Sequence, residues 1–322
     1  MRLVYYGTPA LAVPALTGLV DEGRAPLLVV TRRDRPKGRG LLTLPSPVRA
    51  AAESRGLPVV TPARAGAPEE LDRLRLLKPD LLVLAAYGQI LSPELLALPR
   101  IGALNVHFSL LPRHRGASPI QAAILAGDRE TGVTTMWMTE KLDEGPVFAS
   151  LKTPIHPDED AGSLGARLAE LGAMCLSETL ARIEKGEMVR EAQDPSRATY
   201  APKLGREDAR LSLGEDPPAF ARRVRAFAPK PGATLDLERG ALQVLAASPG
   251  PASAEAAAAS DDSGWVLALD RERGLLLGLR SGSVWLGRVR PSGRNEMSGY
   301  DYALGARLEP GTRLPLAQDL EA

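Results

Sequence analysis

Residues 80–86 read Asp-Leu-Leu-Val-Leu-Ala-Ala, an apolar run with Lys-Pro before it and Tyr-Gly after it. A strand that is apolar on both faces must be covered on both faces, which is the setting of a parallel sheet flanked by helices. The surrounding pattern agrees. Leu3–Tyr6, Leu27–Thr31, Pro58–Val60 and Ala103–His107 read as strands. Between them Ala12–Glu22, Ser46–Arg55 and Glu69–Leu77 read as helices, and Ile120–Ala126 and Ser163–Lys185 follow. This alternation predicts a doubly wound, Rossmann-like α/β domain.

The texture changes near residue 190. REAQDPSRATYAPKLG (190–205) is polar and turn-rich and reads as a linker. Beyond it come short runs at Ala233–Leu237, Leu242–Ala246, Trp265–Leu269, Leu275–Leu279 and Ser283–Val289, the pattern of a small β-barrel of OB-like type. The low-complexity stretch between Ala247 and Gly264 reads as a surface loop. The expected organisation is therefore 1–189, a linker at 190–205, and 206–322, in keeping with two domains for 322 residues.

Composition narrows the functional classes. A formal charge of +1 gives no global field toward nucleic acid or an anionic membrane. No apolar run approaches the roughly 18 residues of a membrane span. The opening MRLVYYGTP runs directly into a strand without a signal-peptide core, so a cytoplasmic protein is expected; a monomer is expected as well. Cys175 is the only cysteine and His107, His114 and His156 the only histidines, so no metal site is expected. Cys175 reads as a helix-buried thiol. Charge is instead local: TRRDRPKGRG (31–40), ARRVRAFAPKPG (221–232) and GRVRPSGR (287–294).

Asn105 and His107 lie two apart at the end of an expected strand. Period-2 geometry turns both to one face, at the C-terminal edge where α/β sheets carry their sites. A strand-end Asn and His also cap loops, so the pair alone leaves both readings open.

The longer strings decide more. GALNVHFSLLPRHRGASPIQ (102–121) followed by GDRETGVTTMWMTEKLDEG (127–145) resembles the folate-dependent formyltransferase family. Asn105, His107 and Asp143 fall on the family's three catalytic positions. YGTPALAVPAL, AYGQIL, TYAPKLGREDARL, RAFAPKPGA and MSGYDYALGARLEPGTRL extend the resemblance over nearly the whole chain, toward the branch that formylates methionyl initiator tRNA.

The resemblance implies attack of the methionyl α-amine on the formyl carbon of 10-formyltetrahydrofolate. Such an amine titrates near 7.7–8.0 in reference peptides and the adjacent ester should lower it, so much of it is already neutral. Asn105 would donate to the developing oxyanion, His107 would share that task or relay a proton, and Asp143 would fix the imidazole tautomer. The folate would lie beside Ser109, Leu110, Leu111 and Pro112 and the Tyr87–Gly88 turn, Tyr87 itself being a packing residue. Arg35, Lys37 and Arg39 would approach the tRNA acceptor end, with Arg222, Arg223, Arg225 and Lys230 on phosphates.

Phe108, His114, Trp137, Thr139 and Lys230 depart from the family pattern. Three rival readings remain at this level. A formyltransferase acting on an amino-sugar nucleotide shares the catalytic pattern, and the basic loop is the discriminator. A non-catalytic RNA-binding module conflicts with the intact trio. An NAD-dependent oxidoreductase lacks its glycine fingerprint, since Gly7-Thr8-Pro9 is no G-x-G-x-x-G.

Overall fold

The computed structural model describes residues 1–37, 42–251 and 263–317. Two compact units emerge: 1–119, 130–154 and 165–203 form the first, and 120–129, 155–164 and the chain from 204 onward form the second.

The first unit is organised on a seven-stranded sheet. Its strands are β1 (Leu3–Gly7), β2 (Leu28–Val30), β3 (Val59–Val60), β4 (Leu81–Ala85), β5 (Gly102–His107), β6 (Glu130–Trp137) and β7 (Val147–Pro154). Their spatial order is β7-β6-β5-β4-β1-β2-β3. β3, β2, β1, β4 and β5 run parallel. The order reverses on the two sides of β1, and right-handed crossovers in opposite directions place helices on both faces. Side chains alternate accordingly. Val4 and Tyr6 join Val30, Leu74, Leu84 and Leu95 in one core layer, while the Tyr5 hydroxyl on the other face donates to the Ala12 carbonyl.

Antiparallel β6 and β7 extend this sheet beyond what the sequence patterning suggests. β6 is buried at seven consecutive positions, Thr131–Trp137. Two of its three threonines are sheltered by hydroxyl partners on neighbouring elements, Thr135 by Thr179 at 2.8 Å and Thr134 by Ser150 at 3.0 Å. That pairing is why a run rich in hydroxyls is a central strand rather than a surface one. Cys175 is indeed fully buried on the helix Ala161–Glu184, and burial pushes its thiol above the ordinary value.

The second unit carries an antiparallel sheet. β8 (Ala233–Leu237), β9 (Gly240–Pro249), β10 (Val266–Asp270), β11 (Gly274–Leu279) and β12 (Gly282–Pro291) lie in the order β8-β9-β12-β11-β10, and Met297–Ser298 pairs with β12. Two helices there, Pro217–Phe227 and Gly299–Ala306, were not among the sequence-expected elements. The first is capped by Asp216, whose carboxylate accepts from Ala219 N, and it buries Phe220, Val224 and Phe227 at helical spacing. Its interleaved arginines obscure that stripe when the segment is read for charge.

Candidate active site

Asn105 and His107 stand at the C-terminal end of β5, flanked by β4 and β6. Asn105 is half-buried and His107 only 5% exposed. His107 Nε2 lies 2.9 Å from the His114 carbonyl oxygen. A carbonyl only accepts, so Nε2 carries the hydrogen in the neutral ring and Nδ1 keeps its lone pair. Nδ1 faces Asp143 Oδ2 at 3.7 Å. That is charge-pairing distance rather than a hydrogen bond, so a proton arriving at Nδ1 meets a carboxylate already in place. Among the described residues no side-chain partner engages the Asn105 amide, which leaves its N–H groups for a substrate oxygen.

Asp143 is placed by its backbone. It sits at φ 51°, in the left-handed region, and its Oδ2 accepts from Gly116 N at 2.8 Å. Two residues on, a Cβ at Gly145 would fall 1.8 Å from the Trp137 carbonyl, so only glycine lets this turn close against β6. Gln193 locks the turn. Its amide donates to the Asp143 and Gly145 carbonyls at 2.8 and 2.7 Å, and its oxygen accepts from Arg115 Nε and a second guanidinium nitrogen at 3.0 and 2.8 Å. The loop carrying Arg115 and Gly116 is held by parallel pairing with Tyr200–Ala201, and His114 N donates to Thr199 Oγ1 at 2.8 Å. Gly116 is needed there, because a Cβ would come 2.5 Å from the Ala201 carbonyl.

The loop from Ser109 to Arg113 is internally braced. Thr134 Oγ1 donates to the Ser109 carbonyl at 2.7 Å and accepts from Leu111 N at 3.2 Å. Ser109 Oγ donates to the Arg113 carbonyl. Ser109 is thus buried by this bracing, while Leu110, Leu111 and Pro112 remain half-exposed. Tyr87 is turned into the core, 3% exposed and edge-on to Tyr6 at 5.2 Å between ring centres. Burial raises its phenol above the ordinary value, and its carbonyl accepts from Thr8 Oγ1 at 3.1 Å. What the Tyr87–Gly88 turn can offer a ligand is backbone, not an aromatic face. Below it, Glu70 accepts from Tyr6 OH and Gly66 N, both at 2.8 Å, and burial raises its carboxyl above the usual range.

The basic residues divide. Arg35–Lys37 pairs antiparallel with Leu42–Leu44, and Arg39 lies outside the described residues. On the helix Pro217–Phe227, Arg223 is occupied by Glu215 at 2.9 Å and the Asp208 carbonyl at 2.8 Å. Arg222 and Arg225 line a cavity with Arg129, His156 and Asp158. Arg222 Nε is buried without a protein partner among the described residues. Burial holds Arg225 below its ordinary value, the Arg222 charge adding and Asp158 opposing. Lys230 is exposed. Arg288 and Arg290 of the third cluster pair with Glu296 at 2.6 and 3.3 Å.

Sequence reasoning missed Gln193, Thr134 and Thr199. Gln193 and Thr199 sit in the segment read as a linker, and Thr134 in a strand not anticipated; no spacing marks any of them. Among the described residues no group of three or more His, Cys, Asp or Glu is placed to hold a metal, and no helix is long and apolar enough to cross a membrane.

This sequence and its fold match a known family. The formyl transferase pattern matches residues 1–180 and that of the formyl transferase C-terminal domain matches 203–307. The chain belongs to the formyl transferase family. Its similarity runs full length to proteins named methionyl-tRNA formyltransferase. That of Halorhodospira halophila is 47% identical over 310 residues, 96% of this chain and 98% of that one. That of Thermus thermophilus is 42% identical over 314 residues, 98% and 99%. That of Geobacter sulfurreducens is 41% identical over 321 residues, 100% and 99%. Among solved structures, HypX from Aquifex aeolicus in complex with tetrahydrofolic acid superposes with a TM-score of 0.62 at 20% identity over 94% of this chain. The chain spans about half of HypX, 47% of its length. An N-formyltransferase from Helicobacter canadensis, in complex with folinic acid and dTDP-3-aminofucose, gives 0.61 at 16% identity over 89% of this chain and 98% of that one. These two share the fold.

Proposed function

We infer that the chain transfers a formyl group from 10-formyltetrahydrofolate to the α-amino group of methionyl initiator tRNA, the step that prepares this tRNA for translation initiation. The observation that carries the reading is His107, anchored through Nε2 on a backbone carbonyl and facing Asp143 through Nδ1, two residues along β5 from the free amide of Asn105. The amine adds to the formyl carbon and the Asn105 amide donates to the oxygen as it gains charge. The bond to the folate N10 then breaks. One proton leaves the amine and one is needed at N10, and His107 Nδ1 carries it while Asp143 balances the imidazolium.

Ser109, Leu110, Leu111 and Pro112 with the Tyr87–Gly88 backbone hold the folate. Arg35, Lys37 and Arg39 meet the acceptor end, and Arg222, Arg225 and Lys230 meet phosphates, whereas Arg223, also expected there from the sequence, is held by Glu215. The protein works as a cytoplasmic monomer without a metal. It is organised as 1–189, 190–205 and 206–322, with the last segment closing as an OB-like barrel. The test mixes purified protein with 10-formyltetrahydrofolate and either methionyl initiator tRNA or methionyl elongator tRNA. Efficient formylation of the first and weak formylation of the second is expected; no transfer to either overturns the reading.

A further inference from the structure

The cavity beside Arg222 lies wholly within the second unit and has a volume of about 320 Å³. Much of its wall is apolar, with Ile124, Ile155, Pro157, Pro218 and Pro249. Against it stand three guanidiniums from two stretches of chain, Arg129, Arg222 and Arg225. Arg222 is placed by packing: a Cβ at Gly127 would lie 3.4 Å from its Cδ, so the stem rests against a residue without a side chain. Its Nε is buried with no acceptor among the described residues, an arrangement that folded interiors rarely keep without a ligand or water. Arg225 has one acceptor, donating from Nη1 to the Glu159 carbonyl at 3.2 Å. The exposed Arg129 side chain has none among the described residues.

Charge points the same way. Two carboxylates, Asp128 and Asp158, face three guanidiniums, and His156 also lines the cavity. Burial holds Arg225 below its ordinary value, with Asp158 opposing and the Arg222 charge adding. The cavity is thus short of one negative charge and of acceptor oxygens. A guanidinium fork suits phosphate oxygens, and a tetrahedral ion accepts from several directions at once. We propose that this cavity is an oxyanion pocket for a single phosphate group, with Arg222 Nε as its buried donor and Arg129 as an arm from outside the three basic clusters of the sequence. The group is a free inorganic ion or one carried by RNA, since both present the same oxygens. The pocket is one enclosed site rather than a salt-sensitive surface, and only its RNA source rests on the function inferred above.

The experiment titrates full-length protein, dialysed free of phosphate and sulfate, with inorganic phosphate by calorimetry, the ionic strength being held constant with sodium chloride. One saturable site is expected. Arg222→Gln should weaken it by about 10–100-fold, the loss of one hydrogen bond to a charged group. The exposed Arg129→Gln should weaken it by about 3–10-fold. Arg223→Gln should leave it unchanged, because Glu215 already holds that guanidinium. Phosphate should also raise the melting temperature of wild type and not that of Arg222→Gln, a difference that a purely structural arginine would not produce. No saturable binding to wild type, or equal affinity in wild type and both pocket variants, overturns the proposal. A second titration, with tRNA in the presence and absence of saturating phosphate, identifies the source, and either result sustains the pocket. Competition in wild type that is lost in Arg222→Gln puts an RNA phosphate there, and tRNA binding indifferent to phosphate assigns it to the free ion. Neither titration reads folate or formyl transfer, so a failed pocket leaves the functional reading standing and failed formylation leaves the pocket standing.

Discussion

The end of β5 and the helix Pro217–Phe227 were both marked by the sequence as functional, and they are built on opposite plans. At β5 the groups around His107 are placed largely through main-chain atoms: the His114 carbonyl, Gly116 N, and the Asp143 and Gly145 carbonyls that Gln193 clamps. On the helix the arginines compete for what is near them. Arg223 is held by Glu215, whereas Arg222 keeps a buried nitrogen without a partner among the described residues. A constellation fixed by backbone translates from string to geometry residue by residue. A charge cluster translates only in part, because internal carboxylates claim some of its members first.

The sharpest break of this comparison lies at β5. Asn105→Ala and His107→Ala are each expected to lower kcat/KM by about 10²–10³-fold, or about 2.7–4 kcal/mol. Single-turnover formylation and a thermal melt separate this from misfolding, and near-normal turnover in either variant removes the catalytic assignment. Asp143→Asn tests the charge alone, since Asn tolerates the left-handed backbone and still accepts from Gly116 N. A loss of about 10²-fold is expected, within the range of general acid–base contributions.

Gly145→Ala attacks the turn without touching a reacting group. The added Cβ meets the Trp137 carbonyl, so a destabilisation of about 1–3 kcal/mol is expected, read as a lowered melting temperature with activity falling alongside. The helix predicts a different signature. Arg222→Ala and Arg225→Ala should each reduce the slope of log affinity for tRNA against log salt by about one. Arg223→Ala should leave that slope unchanged and lower stability instead, through loss of Glu215. Equal slope changes for all three would erase the distinction between the two regions.

The smallest effect is a pH dependence from Glu70. Burial raises its folded-state pKa, so its stabilising contribution is complete below the ordinary carboxylate range and is lost as pH rises through the raised value. The melting temperature of wild type relative to Glu70→Gln should therefore fall from pH ~4.5 to pH ~8. A difference that is flat or grows with pH contradicts the burial-driven shift.

Legibility followed physics. The parallel strands were readable because Asp80–Ala86 is apolar on both faces and β1 and β2 resemble it. β6 was not, because its threonines look like surface until Thr179 and Ser150 are seen beside them. The trio Asn105, His107 and Asp143 was readable from a long specific string. Gln193 was not, because a glutamine acting through two backbone carbonyls needs no fixed spacing from what it holds. Arg223 was legible as basic but not as already paired, since Glu215 lies eight residues away, beyond the helix cap.

The pairing of Arg115–Gly116 with Tyr200–Ala201 bears on modularity. A fragment ending at residue 189 would contain all three candidate catalytic side chains and every strand of the large sheet. It would lack Gln193, Thr199 and Tyr200–Ala201. His114 N, the Asp143 and Gly145 carbonyls and the edge of the 115–116 loop would then lose their partners together. The border that similarity draws at residue 180 passes inside the scaffold of the candidate site, so a cut at this apparent seam is expected to leave the Asp143 turn and the 114–116 loop unformed.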